Sequence, residues 1–243
     1  ITALGHSGFA WPKERNGEFW SKDRYSVTER GNWENPTYET FPFELSFYVP
    51  HDMKTLIEKC GGEEKFVHRL DTFFTHKEGD QRWLIGMFQI SNEPGFLIPV
   101  LYNYVNRQDK TASIVRYILK NRYKTTRDGI PGNDDSGSMS AWYVFHSLGF
   151  YPVAGQDVYL ISSPVYKEAK VHLENGKILK IVAKKNNDKN IYIQSVKLNG
   201  KPLDKNWFRH ADIKDGGTLE FVMGDKPSAW SCNGELPPSM SEI

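Results

Sequence analysis

Apolar positions along this chain follow three regimes. Over residues 1–47 they show no sustained period, and the stretch is rich in Gly, Pro, Asn and aromatics. Long irregular segments in compact proteins are usually functional or disordered. "GFAWPKERNGEFW" and "RGNWENPTYETFPF" carry too many aromatics for disorder, so they read as ordered loops over a site. Over residues 50–148 the spacing becomes helical. "PHDMKTLIEKCGG" has the proline-start, glycine-stop asymmetry of a helix. In "EEKFVHRLDTFFTH", Phe66, Val67, Leu70, Phe73 and Phe74 fall on one stripe. "EPGFLIPVLYNYV" puts Phe96, Leu97, Val100, Leu101 and Tyr104 on one face, with Pro94 and Pro99 early enough to be tolerated. "DKTASIVRYILKNRY", with Asp109 as cap, and "SMSAWYVFHSLG", closed by Gly149, predict two more helices.

After about residue 150 the period drops to two. "DVYLISSP", "AKVHLENGKILKIVAKK", "NIYIQSVKLNGKPL" and "TLEFVMG" are short, β-branched and alternating, and Asn175-Gly176 and Asn199-Gly200 are hairpin signals. The pattern predicts a helical part over 1–150 and an antiparallel β unit over 151–243. Antiparallel helix pairs with site loops at one end suggest part of a helical barrel. Five or so helices cannot close one, so the chain reads as part of a larger fold.

Composition narrows the function. The 243 residues are 39% hydrophobic and 25% charged, as expected of a globular protein. Lys+Arg is 31 against Asp+Glu 30, a formal net charge of +1, which gives no electrostatic draw toward nucleic acid or anionic lipid. No apolar run approaches the roughly 20 residues that span a bilayer. Aromatics make up 14%; such rings mostly pack in cores but also stack on sugar faces. Cys60 and Cys232 are far apart and signal neither a disulfide framework nor a zinc site. The first residues, "ITALGHSG", lack Met and a signal-like segment, which suits a mature chain, a cleavage product or a fragment.

Carboxylates recur at loop-to-helix junctions, where functional groups sit on a rigid scaffold. "YETFPFELSFYVPHD" carries Glu39, Glu44 and Asp52; "SNEPG" carries Glu93; "PGNDDSG" carries Asp134 and Asp135. Glycoside hydrolysis needs two carboxyl groups, one to protonate the leaving oxygen and one to activate water or attack the sugar. Each junction is equally a helix cap. Asn92 and Glu93 offer an amide carbonyl and a carboxylate, good ligands for calcium, or a plain helix start. His51 reads as a site residue or as a first-turn histidine bonded to Asp52. His146 reads as a satisfied core or surface residue, and Trp142 as core. "GHSGF" departs from the nucleophile-elbow pattern at its last position and follows no strand, so a serine hydrolase is disfavoured.

Taken together, "YETFPFELSFYVPHD", "GGEEKFVHRLDTFF", "SNEPGFLIPVLYNY", "DGIPGNDDSGSMSAWYVFHSLGFYPV" and "NIYIQSVKLNGKPL…FRHADIKDGGTLEFVMG" resemble the C-terminal part of family 92 glycoside hydrolases, in that family's order. The resemblance implies an exo-acting α-mannosidase that removes terminal α-mannosyl residues from glycans with inversion and needs calcium. It implies the second half of an (α/α)6 barrel followed by the antiparallel β unit. The N-terminal half of the same enzyme would be the partner, and a mannose-containing glycan the substrate. Export is implied as well: secreted, periplasmic or cell-surface. Carried over by position, Glu39 matches the general acid and Asp135 the general base, with Asp134 beside it. Asn133 stands where some members have a further aspartate, and Asn92 and Glu93 match the calcium segment; His51, Asp52 and Asn133 are the candidate substrate-binding residues. Leu97 and "ETFPF" depart from the family's usual residues. A non-catalytic carbohydrate-binding or assembly fragment is the alternative.

Overall fold

The computed structural model describes residues 8–21, 37, 40–75, 84–85 and 87–242. The chain gathers into two compact units: Ile1–Ile98 together with Ser239–Ile243, and Pro99–Pro238. The change of period near residue 150 marks a change of element type, and the units divide elsewhere. The last helices belong with the strands.

The first unit is built on phenylalanine. Helix α1 (Pro42–Leu45) starts with proline in its first turn, and α2 (Met53–Lys59) is capped by the Asp52 side chain, which accepts from the Thr55 N–H at 3.3 Å. Gly61 and Gly62 follow at φ 94° and 98°, a left-handed backbone that ends α2 and that a side chain would strain. Helix α3 (Glu63–Thr75) buries Phe66, Leu70, Phe73 and Phe74. The Phe73 ring lies 5.5 Å from Phe43 and from Phe47, and 6.1 Å from Phe88. Each such ring contributes roughly 1.5–3 kcal/mol by leaving water. These aromatics serve the core. Strands β1 (Leu84–Ile85) and β2 (Phe88–Gln89) form a short antiparallel pair. Of the irregular N-terminal stretch, the described part includes a bridge between Lys13 and Phe19 and a buried Trp11 whose Nε1 donates to the Trp20 carbonyl at 2.7 Å.

"EPGFLIPVLYNYV" is wound as two 3-10 pieces, Glu93–Gly95 and Ile98–Val105, in place of the predicted α-helix. Pro94 and Pro99 each remove a donor from the α ladder. All eight residues of the second piece are buried, as a helix apolar on every side requires.

In the second unit, α4 (Gln108–Asn121) buries Ala112, Val115, Ile118 and Leu119. Its N-cap is Arg107, not Asp109; Asp109 sits in the first turn with both carboxylate oxygens on the Arg107 guanidinium at 2.8 Å. Helix α5 (Ser138–Leu148) ends at Gly149, φ 101°, as predicted. The strands form two sheets. One has the order β3 (Phe150–Pro152), β4 (Val158–Ile161), β9 (Trp207–Arg209), all antiparallel. The other runs β5 (Glu168–His172), β6 (Ile178–Lys184), β10 (Gly217–Gly224), β7 (Tyr192–Leu198), β8 (Lys201–Pro202). Both hairpin signals hold: Asn175-Gly176 joins β5 to β6, and Asn199-Gly200 joins β7 to β8. Asn199 and Gly200 have φ 52° and 79°, the pair of positive values a type I′ turn needs.

One pair departs from the expected antiparallel unit. β10 runs parallel to β6. A period of two is the same for either direction, and the intervening strands give the chain length for a parallel return. Leu219, Phe221 and Met223 point from β10 into a core shared with Leu179, Ile181, Ile193 and Val196.

Buried amides tie these helices to the strands. Asn103 Nδ2 donates to the carbonyls of Ile161 and Asn206 at 2.8 and 3.0 Å, its Oδ1 accepts from Thr111 Oγ1 at 2.7 Å, and Asn206 Nδ2 donates back to the Asn103 carbonyl at 3.0 Å.

Candidate active site

The sequence "GNDDSG" folds as a run of left-handed residues. Asp135, Ser136 and Gly137 have φ 39°, 60° and 84°. The first two are not glycine, and each such residue costs about 1–2 kcal/mol. Strain of this kind persists only where the surroundings hold it, and it clusters at functional sites. Here the start of α5 does the holding. Gly137 occupies the N-cap position and has no side chain to cap with. Asp134 substitutes from three residues upstream: its carboxylate accepts the Ser140 N–H at 2.8 Å and the Ser140 Oγ at 2.9 Å, and its carbonyl accepts the Ser138 N–H at 2.8 Å.

The two aspartates therefore part company. Asp134 is half-buried and engaged with the helix. Asp135 is solvent-exposed, and its carboxylate makes no hydrogen bond to a described residue. Asn133 is exposed beside them. Tyr123 flanks the turn; its hydroxyl donates to the Met139 carbonyl at 3.2 Å, and its ring stacks on Trp142 at 5.9 Å. Burial first, then Tyr151, Asp134 and Tyr143, push the Tyr123 phenol above its ordinary range, so it stays a neutral donor. A groove of about 760 Å³, lined by Tyr123, Ile130, Ser140, Tyr143 and Val144 among others, opens against Ser140, the residue Asp134 holds.

Trp142 is core, as expected. His146 is buried too, but it is not satisfied: among the described residues neither ring nitrogen has a hydrogen-bond partner. Its ring is stacked 4.6 Å from Tyr151 at 2° and lies 4.1 Å from Trp142. Burial pushes its pKa well below the usual histidine value, so the imidazole is neutral.

The remaining candidates belong to the first unit. Glu39 lies outside the described residues. His51 is exposed, and its carbonyl accepts the Met240 N–H at 3.0 Å. Asp52, besides capping α2, accepts the Ser239 hydroxyl at 2.9 Å. Burial raises the Asp52 pKa, but hydrogen bonds from Thr55, Ser241 and Ser239 outweigh it and hold the carboxyl well below the usual carboxylate range. Asp52 is thus occupied in joining α2 to Ser239. It does not hydrogen-bond His51 in the way the histidine alternative supposed.

Asn92 sits in extended backbone (φ −140°, ψ 135°) at the start of the Glu93–Gly95 turn, and its side chain does not cap that turn. The Glu93 side chain is exposed. A neutral amide and a free carboxylate, adjacent at a turn, are hard oxygen donors of the kind calcium takes. Among the described residues no three His, Cys, Asp or Glu side chains gather as a metal-binding group, so the fit rests on these two.

Glu44, one of the junction carboxylates, carries no assigned role from the sequence. It is fully buried, with Oε2 accepting the Thr40 hydroxyl at 2.8 Å. The available signal was its place in the first turn of a proline-started helix amid phenylalanines.

A profile of the glycosyl hydrolase family 92 catalytic domain matches residues 5–225. The chain belongs to glycosyl hydrolase family 92. Among solved family 92 structures, an α-mannosidase from Bacteroides thetaiotaomicron, in complex with mannoimidazole, matches with a TM-score of 0.92 and 32% identity, over 98% of this chain and 33% of its own. An inverting mannosidase from the same organism matches with a TM-score of 0.86 and 30% identity, over 99% and 35%. An uncharacterized secreted glycosidase of Arthroderma benhamiae is 36% identical over 97% of this chain and 31% of its own length. The chain thus spans about a third of the family 92 proteins it matches. No helix among the described residues is long and apolar enough to cross a membrane.

Proposed function

We propose that this chain is the C-terminal portion of a calcium-dependent, inverting exo-α-mannosidase that removes terminal α-mannosyl residues from glycans outside the cytoplasm. The remainder of the family 92 protein would supply the first half of the (α/α)6 barrel and part of the substrate pocket. The observation that carries the reading is the division of labour at the turn before α5. Asp134 is spent on Ser140, while Asp135 is exposed in a backbone conformation held in place by that cap.

In this reading Glu39 protonates the leaving oxygen. Asp135 takes a proton from a water on the opposite face of the sugar as that water attacks the anomeric carbon. Inverting glycosidases in general keep their two carboxyl groups about 6.5–9.5 Å apart to admit that water. Asn92 and Glu93 would hold calcium, whose charge would draw in mannose hydroxyls. His51 and Asn133, both exposed, remain available to the sugar, whereas Asp52 would act through the backbone it anchors.

The test is hydrolysis of an α-mannoside by the full-length protein, followed by proton NMR. Release of β-mannose as the first-formed anomer is the expected result. Release of the α anomer, or no hydrolysis, would overturn the reading. A non-catalytic carbohydrate-binding fragment is the second reading, favoured only by the chain's spanning about a third of its relatives. The 243-residue chain binding mannosides while the full-length protein turns none over would establish it.

A further inference from the structure

A fully buried carboxylate needs a reason. Removing a charge from water is costly unless the site compensates it, so residues of this kind are rarely fully buried. Glu44 is one, and it stands between two segments that the proposed chemistry uses.

On one side lies Thr40, the residue that follows Glu39 in sequence. It is buried and donates its hydroxyl to Glu44 Oε2 at 2.8 Å. Thr37, also buried, donates its hydroxyl to the Thr40 carbonyl at 3.3 Å. Thr37 and Thr40 are therefore linked to each other, and the chain of bonds ends on Glu44.

On the other side lies the turn that carries Asn92 and Glu93. Gly95 closes it, its N–H donating to the Asn92 carbonyl at 3.1 Å. Gly95 does not have a left-handed φ, so conformational freedom does not explain the glycine. Close approach does. A Cβ there would stand 2.9 Å from Glu44 Oε1 and 3.0 Å from the Phe88 ring. The missing side chain lets the carboxylate press against the turn.

We propose that Glu44 is a positioning residue that holds Thr40, the residue after Glu39 in sequence, and the turn of Asn92 and Glu93 in fixed register. The proposal rests on the roles assigned to those three residues above. One oxygen of the carboxylate fixes Thr40, and the other packs on Gly95, so a single rigid group spans segments some fifty residues apart in sequence.

The test uses the full-length protein and compares Glu44→Met, which fills the volume without the carboxylate, with Glu44→Gln, which keeps an acceptor for Thr40. Amide hydrogen exchange read by mass spectrometry should show residues 37–41 and 92–96 exchanging about tenfold faster together in Glu44→Met, with α3 unchanged. Glu44→Gln should restore most of the protection. In parallel, kcat should fall about 10–100-fold in Glu44→Met with KM little changed, and Thr40→Val should reproduce the loss while Thr40→Ser does not. Faster exchange in only one segment, or in neither, would overturn the proposal, as would unaltered kcat beside a lowered melting temperature. If Glu44→Met does not fold, Gly95→Ala and Thr40→Val each disturb one side of the brace, and each should loosen both segments. If the wild-type protein hydrolyses no mannoside, the assigned roles fall, and the exchange data alone decide whether Glu44 couples the segments.

Discussion

The carboxylate of Asp134 grips Ser140 twice, through the backbone N–H at 2.8 Å and the hydroxyl at 2.9 Å, and its neighbour Asp135 is left facing solvent at φ 39°. Adjacent, chemically identical residues are thereby set to different tasks, and they should respond oppositely to substitution. Asp134→Ala should lower stability by about 0.5–2 kcal/mol, the usual loss for a helix cap. Asp135→Gly should leave stability unchanged or raise it by roughly 1 kcal/mol, because glycine adopts the left-handed turn without penalty. Urea denaturation of both variants checks this; equal destabilisation would contradict the division.

Turnover should show the reverse order. Asp135→Asn in the full-length protein should reduce kcat by about 10²–10⁴ with substrate still bound, as loss of a general base does. Asp134→Asn should cost less. Steady-state kinetics on one α-mannoside suffices, and a dead Asp134→Asn beside an active Asp135→Asn would exchange the two roles.

His146 predicts a pH dependence of folding. Its pKa is depressed in the folded state because burial disfavours the charged ring. Below the ordinary histidine value the unfolded chain binds a proton that the folded chain refuses. Stability is therefore fully present above about pH 6.5 and should fall by about 1.4 kcal/mol per pH unit below it. His146→Phe, which keeps a ring against Trp142 and Tyr151, should flatten the melting-temperature profile between pH 7 and pH 5. A profile as steep as that of the wild type would mean that other groups dominate.

Asn103 should be among the costliest single truncations. Asn103→Ala takes an amide donor from the carbonyls of Ile161 and Asn206, the latter keeping the Ile161 N–H at 2.8 Å, and strands the buried Thr111 hydroxyl. At about 1–3 kcal/mol for each buried group left unpaired, partly relieved by relaxation, a loss of roughly 2–4 kcal/mol is expected in chemical denaturation. A loss under 1 kcal/mol would mean that water enters and replaces the amide.

Calcium is tested without turnover. Exhaustive chelation of the full-length protein should lower its melting temperature, and calcium should restore it better than magnesium, because ligand binding to the folded state adds stability. Glu93→Gln should raise the calcium needed for half-restoration. A melting curve indifferent to chelation would remove the metal from Asn92 and Glu93.

What could be read from the sequence follows a physical line. Local signals served well where one residue type meets one backbone need, as at Asn199-Gly200, at Gly149 and on the stripe of α3. The parallel pairing of β10 with β6 was hidden because alternation does not encode strand direction. The 3-10 winding of Ile98–Val105 was hidden because helical spacing does not separate 3.0 from 3.6 residues per turn over a short run. At the candidate site, the sequence supplied the two aspartates but not their division. That depends on three successive left-handed residues, of which only Gly137 advertises itself. The role of Glu44 needs the approach of Gly95, some fifty positions away.

The bond between Asp52 and Ser239 has a consequence in time. It closes a span of 187 positions, and the Lys54 N–H and the His51 carbonyl add bonds to Ser239 and Met240. The first unit thus begins early in the chain and takes its last piece from beyond Pro238, while the second unit is contiguous. During synthesis the order of completion is inverted: the earlier segment must wait, with the Lys54 N–H of α2 lacking its Ser239 acceptor, until residue 239 has been made. A chain interrupted shortly before Ser239 would carry a finished second unit and an unfinished first one.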